Sequence, residues 1–277
     1  MCQHTNTYRP VRRQLFVSMT TNKPHAFASQ PWLTIPFERR LKSPIDELVD
    51  ILLSLPGCLA LADEISNQDR RDLSGVERRL HKSILDLISR LDSWHRQYCV
   101  EDVEPDGRSR IGLDPSAAKR RGTSDQWSDA PERRTYRDVH TAVFTAMYEA
   151  ASLISFSLLL LVSPPTDQHN YRIQFHAQSI LSADAFIESN GSPAPARDSL
   201  LMVFSLKILG VWGPHPEQRN HAIRRLQDWD RKGESYSVCR FAAHVFFENS
   251  TSAEPCNAYN ANLAARIHLQ QTSIHLL

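Results

Sequence analysis

The sequence predicts an all-α protein, built as an irregular bundle of about six or seven helices behind a Pro-rich, extended N-terminal segment. Several long stretches repeat apolar residues at spacings of three and four, which is the pattern of a helix with one buried face. Glycine is scarce, at 9 of 277 residues, and this disfavours a β-rich chain with many tight turns. Clusters of Pro, Gly, Ser and Asp separate the apolar stretches and mark the connections.

Length and charge are those of an ordinary globular protein. A chain of 277 residues can bury a sizeable core, and a net charge of +1 creates no general attraction to nucleic acid or to an anionic membrane. We expect a disordered arm at 1–30 and a single helical domain at 31–277. Within that domain we expect a flexible insertion at 100–134 and an ambiguous segment after 233.

The N-terminal arm carries basic residues and no acidic ones. Arg9, Arg12, Arg13 and Lys23 all precede the first acidic residue, Glu38. This composition also suits a mitochondrial transit peptide, but we favour a disordered arm.

The segment at 31–65 changes from extended to helical. Three prolines keep its first part out of a continuous helix, at Pro31, Pro36 and Pro44. Ser43 followed by Pro44 predicts an N-cap and the first helical residue, and two acidic residues follow in the first turn. We predict a helix at 45–55, an interruption or kink at Pro56-Gly57, and a resumption at 60–65.

Further helices follow, most of them with a recognisable stop. The apolar run at 150–162 is too short to span a membrane, which takes about 20 apolar residues, so we predict a buried core helix there. Pro164-Pro165 ends it. The segment at 238–247 suits either a short helix or a strand, and 258–267 suits a last helix. The remaining predicted helices are at 69–98, 136–163, 169–188, 197–212 and 216–232.

The stretch at 100–134 lacks apolar periodicity. It contains Pro105-Asp106-Gly107 and the basic cluster Lys119-Arg120-Arg121. Because so few apolar residues cannot offset the entropy of ordering, we predict a mobile loop or linker. The basic cluster also suits nuclear import, although a solvated loop is the interpretation we favour.

A set of short motifs carries a family resemblance. They are Pro31-Trp32, Ile35-Pro36-Phe37, Lys42-Ser43-Pro44-Ile45-Asp46, Leu52-x-x-Leu55-Pro56-Gly57 with Ala62-Asp63, and Trp94-His95. In this order they resemble the helical regulatory region of fungal zinc-cluster transcription factors. The resemblance extends over roughly 31–233 and is most specific at 31–94. It implies a helical domain that regulates transcription in the nucleus.

The cysteines depart from that family's DNA-binding module. The module needs six cysteines in a tight pattern, because their thiolates must surround two zinc ions. This chain has five, widely spaced and without a C-x-x-C pair, so we expect no autonomous, zinc-dependent DNA binding. Their scatter also indicates a reducing compartment without a disulfide framework. They are Cys2, Cys58, Cys99, Cys239 and Cys256.

No constellation of residues predicts catalysis. Acid–histidine pairs one helical turn apart can bind a metal, and the chain has three, at Glu77/His81, Asp92/His95 and Glu217/His221. We favour a solvated helix face for Glu77, His81 and Glu217, which stand among charged residues. Three more histidines without ligand spacing are expected at the surface or at helix ends, namely His140, His169 and His176. The chain has no nucleophile elbow, P-loop or dinucleotide-binding turn. We therefore assign no catalytic, cofactor-binding or metal-binding residue, and we expect Cys58 and Cys99 to act as small core hydrophobes.

These observations favour a regulatory or protein-interaction domain without autonomous zinc-cluster DNA binding, in control of a fungal secondary-metabolite gene cluster. We expect it in the nucleus, with the cytoplasm as the alternative. The expected partner is a protein such as a full-length related transcription factor, with a small-molecule effector as a further ligand and with no membrane or sequence-specific nucleic acid. Two alternatives stay open: an all-α enzyme of unknown reaction, and a gene model that has lost an upstream exon for the zinc cluster. Residues to inspect first, all expected to be architectural, are Trp32, Phe37, Pro56, Gly57 and Trp94.

Overall fold

The chain folds as a helical bundle with one small sheet. The computed structural model describes residues 41–67, 74–103, 109–113, 134–190 and 199–231. Within these ranges it has seven helices and a three-stranded sheet, which confirms the predicted all-α class. The expectations for the arm at 1–30, for Trp32 and Phe37, and for the segment after 233 lie outside the described residues.

Helix α1 spans Pro44–Leu52 and begins at the predicted cap. The Oγ atom of Ser43 accepts a hydrogen bond from the backbone N–H of Asp46 at 3.3 Å, and the Asp46 carboxylate accepts one from the Ser43 N–H at 3.0 Å. Such a reciprocal pair satisfies two N–H groups that a helix start otherwise leaves without an acceptor. The start of α1 is therefore determined locally.

Helix α2 spans Leu55–Asn67, so the interruption lies earlier than we predicted. Helix α1 ends at Leu52, and Pro56 is already the second residue of α2. Proline is tolerated in a first turn because the N–H that it lacks would have no acceptor within the helix there. The predicted kink at Pro56-Gly57 and the predicted resumption at residue 60 were both wrong.

Helix α3 spans Ser74–Tyr98, and its predicted apolar stripe faces the core. The predicted start at residue 69 lies outside the described residues. The buried members of the stripe are Val76, Leu80, Ile84, Leu87, Leu91, Trp94 and Tyr98. Charged side chains on the opposite face are exposed, at Arg78, Arg79, Lys82 and Asp86.

A small sheet follows α3, where we predicted no regular structure. Strand β1 spans Cys99–Val103, β2 spans Ser109–Leu113 and β3 spans Arg134–Tyr136. Strand β2 pairs antiparallel with β1 and parallel with β3, in the order β1-β2-β3. The prediction of a loop at 100–134 was wrong for β1 and β2, and Tyr136, predicted to begin a helix, lies in β3 instead. Pairing and the burial of Ile111 and Tyr136 supply the stability that the short apolar pattern did not signal.

Helix α4, at Val139–Val162, is the central element and contacts α3, α5 and α6. Asp138 caps it by accepting a hydrogen bond from the Thr141 N–H at 2.7 Å. Among the described residues, α4 is the one helix long and apolar enough to cross a bilayer, and 83% of its most apolar window is buried inside the protein. This burial confirms the predicted core helix.

Three helices complete the described part of the bundle. They are α5 at Asp167–Asn190, α6 at Ser199–Trp212 and α7 at Pro216–Arg231. Helices α5 and α6 both pack on α4, and α7 packs on α6. Between α6 and α7, a Cβ atom added at Gly213 would lie 2.6 Å from the carbonyl oxygen of Leu209, so this close connection requires glycine.

Candidate functional site

Three ionisable side chains meet inside the bundle, where β3, α4 and α5 come together. Glu149 is fully buried, and its Oε1 accepts a hydrogen bond from Nη1 of Arg134 at 3.1 Å. Its Oε2 lies 2.5 Å from Nδ1 of His176. The side chains of Arg134 and His176 are each 1% exposed. We call Arg134, Glu149 and His176 the core cluster.

Secondary structure holds each member of the core cluster in place. Arg134 is the first residue of β3, and Nη1 of its guanidinium also donates to Oγ of Ser179 at 3.1 Å. Ser179 lies three residues after His176 on α5, so both side chains project from the same helix face. The carbonyl oxygen of Arg134 accepts a weaker bond from Oγ of Ser182 at 3.4 Å. Strand β3 and helix α5 therefore converge on Glu149 of α4.

Aromatic rings form the apolar walls of the core cluster. The guanidinium carbon of Arg134 lies 4.5 Å from the ring centre of Phe175, a cation–π distance. The Phe156 ring stacks on His176 with ring centres 5.5 Å apart and planes at 19°. Such walls exclude water, so the charge pairing inside them is stronger than at a surface and the loss of one partner is more costly.

Helix α3 brings a second imidazole to the edge of the core cluster. The His95 ring lies 4.7 Å from the ring of Tyr148, the residue before Glu149. Burial lowers the pKa of His95 to about 3, helped by the nearby basic side chains of Arg134 and His176. His95 is therefore neutral at pH 7.

Two further acidic side chains, Tyr148 and Asp92, lie next to the core cluster and His95. Burial raises the pKa of Tyr148 well above its ordinary value, and the carboxylates of Glu149 and Asp92 raise it further. The Tyr148 hydroxyl donates a long hydrogen bond, 3.5 Å, to Oδ1 of Asp92. Burial also raises the pKa of Asp92, against the opposing charge of Arg172. Tyr148 and half-buried Asp92 connect the core cluster with the outer face of α3.

In the core cluster, the Glu149 carboxylate orients the His176 imidazole. Because the carboxylate of Glu149 is an acceptor, we assign the proton of the His176 ring to Nδ1. Its Nε2 atom is buried and has no hydrogen-bond partner among the described residues. A general base is oriented in the same way, but a base also needs access to a substrate proton. In the described ranges, no group of three or more His, Cys, Asp and Glu side chains could hold a metal ion.

A second charged group connects α5 with α7. The buried carboxylate of Asp184 accepts a hydrogen bond from Nε of Arg225 at 3.1 Å and lies 3.0 Å from Nε2 of His221. Nη1 of Arg225 also donates to Glu188 at 2.8 Å, and its guanidinium carbon lies 5.4 Å from the Trp229 ring centre. This group stabilises the contact between the two helices.

The residues singled out in the sequence are dispersed in the structure. Trp94 is buried, and its indole N–H donates to the carbonyl oxygen of Pro44 at 2.6 Å. Pro56 is buried and Gly57 half-buried in the first turn of α2. Cys58, 2% exposed, is a core residue as predicted, and burial raises the pKa of its thiol to about 11.

The acid–histidine pairs do not act as units. Glu77 and His81 are half-buried on α3, while Glu217 is exposed and its neighbour His221 turns to Asp184. Of the pair formed by Asp92 and His95, the imidazole is buried in the core and Asp92 is half-buried.

The single histidines fall into two groups. His140 is exposed at the start of α4, as predicted, and His169 is half-buried near the start of α5. His176 is 1% exposed in the core, so the prediction of a surface or helix-end position was wrong. Its environment depends on α4 and β3, which the sequence around His176 does not encode.

Sequence reasoning missed the core cluster, although one signal was present. Glu149 stands within an apolar helix, and a carboxylate there needs a buried partner. Arg134 gave no such signal, because it follows a polar stretch that resembles a loop. Only the fold identifies it as the partner.

Comparison of the chain with protein-family models, with curated proteins and with solved structures finds no match. The class that the described residues define is therefore an all-α bundle with a buried Arg–Glu–His cluster. The resemblance to the regulatory region of fungal zinc-cluster transcription factors stays a prediction.

Proposed function

We propose that this chain is a regulatory, protein-interaction domain of the type found in fungal zinc-cluster transcription factors, and that it acts by contact with a partner. The observation that carries the proposal is the hydrogen bond from the Trp94 indole to the Pro44 carbonyl, at 2.6 Å and 50 positions apart in the sequence. It joins two of the motifs that carry the resemblance, Lys42-Ser43-Pro44-Ile45-Asp46 and Trp94-His95. Motifs that lie far apart in the sequence thus contact each other in the fold, as a shared packing arrangement requires.

The third motif supports the same interpretation. Leu52, Leu55 and Ala62 are fully buried, so the segment around Leu52-x-x-Leu55-Pro56-Gly57 belongs to the core. Helix α2 packs on both α3 and α4. The residues of the resemblance thus have a common architectural role, which is the role expected if they record an ancestral packing.

The proposed mode of action follows from the same features. A helical scaffold presents its outer faces to a partner, and an effector that binds one arrangement of the helices better than another shifts their equilibrium. The partner that we propose is a full-length related transcription factor, in the nucleus, with genes of secondary metabolism as the target. The five scattered cysteines leave sequence-specific DNA binding to that partner.

A transcription assay tests the proposal. The chain would be fused to a heterologous DNA-binding domain in a fungal host, and reporter transcription compared with the DNA-binding domain alone. We expect a change that is lost in Leu91→Asp, which places a charge in the core, and kept in Leu85→Ala, at a site that is 46% exposed. Equal transcription with and without the folded chain would contradict the proposal.

A retention assay tests the division of labour on DNA. At moderate salt, which weakens contacts to phosphates, we expect the purified chain to show no sequence-selective retention on genomic fragments. Adding the full-length related factor should bring the chain onto that factor's fragments. Tight, selective retention of the chain alone, in the presence of zinc, would contradict the proposal.

A second candidate function is an enzyme on an all-α scaffold, and the core cluster is the observation that favours it. A catalytic imidazole at His176 must be reachable from solvent. Diethyl pyrocarbonate modifies accessible imidazoles, so mass spectrometry of the treated native protein separates the two cases. The regulatory proposal expects modification at exposed His140 and protection at buried His176. Fast modification of His176 in the folded protein would favour the enzyme.

A further inference from the structure

We propose that His221 is a nucleophilic imidazole that accepts acyl groups from neutral activated acyl donors, such as aryl esters. The inference concerns the charged group between α5 and α7 and stands independently of the proposed function. Its basis is geometric, because the His221 ring contacts a buried carboxylate and is also open to solvent. The side chain is therefore both oriented and reachable, as a nucleophile must be.

The buried carboxylate of Asp184 fixes the tautomer of His221. Its Oδ2 atom lies 3.0 Å from Nε2 of the ring, and Asp184 is 1% exposed. Because a carboxylate accepts hydrogen bonds, we assign the ring proton to Nε2. The lone pair of the neutral ring is then on Nδ1, and the hydrogen bond to the carboxylate makes that lone pair more basic. Nδ1 is therefore the nucleophilic atom.

Access to solvent distinguishes His221 from the imidazole of the core cluster. The side chain of His221 is 44% exposed, whereas that of His176 is 1% exposed. His215, just before α7, is exposed as well, but its imidazole has no carboxylate partner within the described ranges. His221 therefore combines the oriented ring of His176 with the accessibility of His215.

The charges around the His221 ring favour a positively charged intermediate. Arg225 binds Asp184 at 3.1 Å and Glu188 at 2.8 Å, so one guanidinium pairs with two carboxylates and a negative charge is left over. Acylation of a neutral imidazole makes a cation, which a carboxylate bonded to the ring N–H stabilises. An anionic donor would be repelled, so these charges select a neutral one. Within one turn of His221, the exposed charged side chains on α7 have opposite signs and are Glu217 and Arg224.

The acyl transfer has two steps and needs only the ester and water. Nδ1 of His221 attacks the carbonyl carbon, the bond to the alcohol oxygen breaks, and the alkoxide leaves with the electron pair. The acylated ring is a cation that keeps its Nε2 proton on the hydrogen bond to Asp184. Water then adds to the acyl carbon and Nδ1 leaves with its electron pair. The proton that water releases neutralises the alkoxide, so a carboxylic acid and an alcohol are formed.

Diethyl pyrocarbonate, a neutral acyl donor, tests the proposal on the full chain. Acylation of each imidazole is followed by mass spectrometry at about pH 7.5, where an ordinary histidine is mostly neutral. We expect His221 to be acylated faster than His215 by about tenfold or more, because a buried carboxylate orients its ring. In urea, where that orientation is lost, the two rates should become equal. Equal rates in the folded chain would overturn the proposal.

Matched variants test the acyl transfer itself, with p-nitrophenyl acetate as the ester and release of p-nitrophenolate as the signal. We expect His221→Gln to lower the rate by about threefold or more and His215→Gln to leave it unchanged. Asp184→Asn should lower the rate as well, because it weakens the orientation of the ring. If Asp184→Asn does not fold, the ratio of the two acylation rates in the unmodified chain still decides. An unchanged rate in folded His221→Gln would also overturn the proposal.

Discussion

Glu149 and His176 meet across the interface of α4 and α5, with 2.5 Å between Oε2 and Nδ1. Each lies on a helix whose inner face is otherwise mostly apolar or small, and Arg134 completes the pairing from a separate strand. The bundle therefore has a polar centre whose members come from three distant parts of the sequence. Several consequences can be measured.

Removal of the Glu149 charge should strongly destabilise the fold. Glu149→Gln removes the carboxylate that pairs with the Arg134 guanidinium inside the core, and loss of one partner of a buried pair costs about 3–5 kcal/mol. Denaturation by urea measures this loss. The double variant Arg134→Met/Glu149→Leu removes both charges, so we expect it to be much more stable than Glu149→Gln. The losses of unfolding free energy in Arg134→Met alone and in Glu149→Leu alone provide the comparison. A loss in the double variant equal to the sum of these two losses would argue against charge pairing as the cause.

Stability should fall with pH below about 6.5, the ordinary pKa of histidine, because of His95. Its pKa is lowered from 6.5 to about 3 in the folded chain. The unfolded chain therefore binds more protons throughout this range, so the unfolding free energy decreases as the pH decreases. Between pH 7 and pH 5 the expected loss from this one group is about 2 kcal/mol.

Comparison with His95→Gln isolates that contribution. Burial raises the pKa of Asp50 and Asp92, and these carboxyls bind protons more readily in the folded chain, so they oppose the loss at lower pH. The difference between the two proteins removes their effect, because both proteins contain them. We expect a flatter pH dependence for His95→Gln. Parallel curves would show that His95 does not titrate on unfolding.

The hydrogen bond from Trp94 to Pro44 should contribute measurably to stability. Trp94→Phe keeps an aromatic ring but removes the Nε1–H donor, and loss of a donor to a partly buried carbonyl costs about 1–3 kcal/mol. Trp212→Phe, at a position with the same 2% exposure in α6, controls for the smaller ring. Thermal or urea denaturation of both variants gives the comparison. Equal losses would assign the effect to ring volume alone.

Cys58 should resist alkylation in the native protein. Burial raises the pKa of its thiol from 9.0 to about 11, so the reactive thiolate is about 100-fold scarcer than in the unfolded chain. Its 2% exposure slows the reaction further. Iodoacetamide labelling with and without denaturant, followed by mass spectrometry, measures the ratio. Rapid native labelling would show that α2 opens readily.

The sequence by itself determined the elements that follow local rules. Ser43 and Pro44 predicted the start of α1, and the apolar periodicity from Val76 to Tyr98 predicted the buried face of α3. The apolar run that ends at Val162 predicted a core helix. Caps and periodicity involve residues within one or two turns of each other, so a single segment contains all the information needed.

The tertiary structure alone decided the features that depend on distant partners. The sheet forms because β2 meets β3 across an intervening stretch, and a short strand gains its stability from such pairing and not from its own pattern. His176 is tolerated in the core because Glu149, which is itself paired with Arg134, accepts a hydrogen bond from its Nδ1 atom. A buried charge is tolerable only beside its partner, and which residues become neighbours is a property of the whole fold.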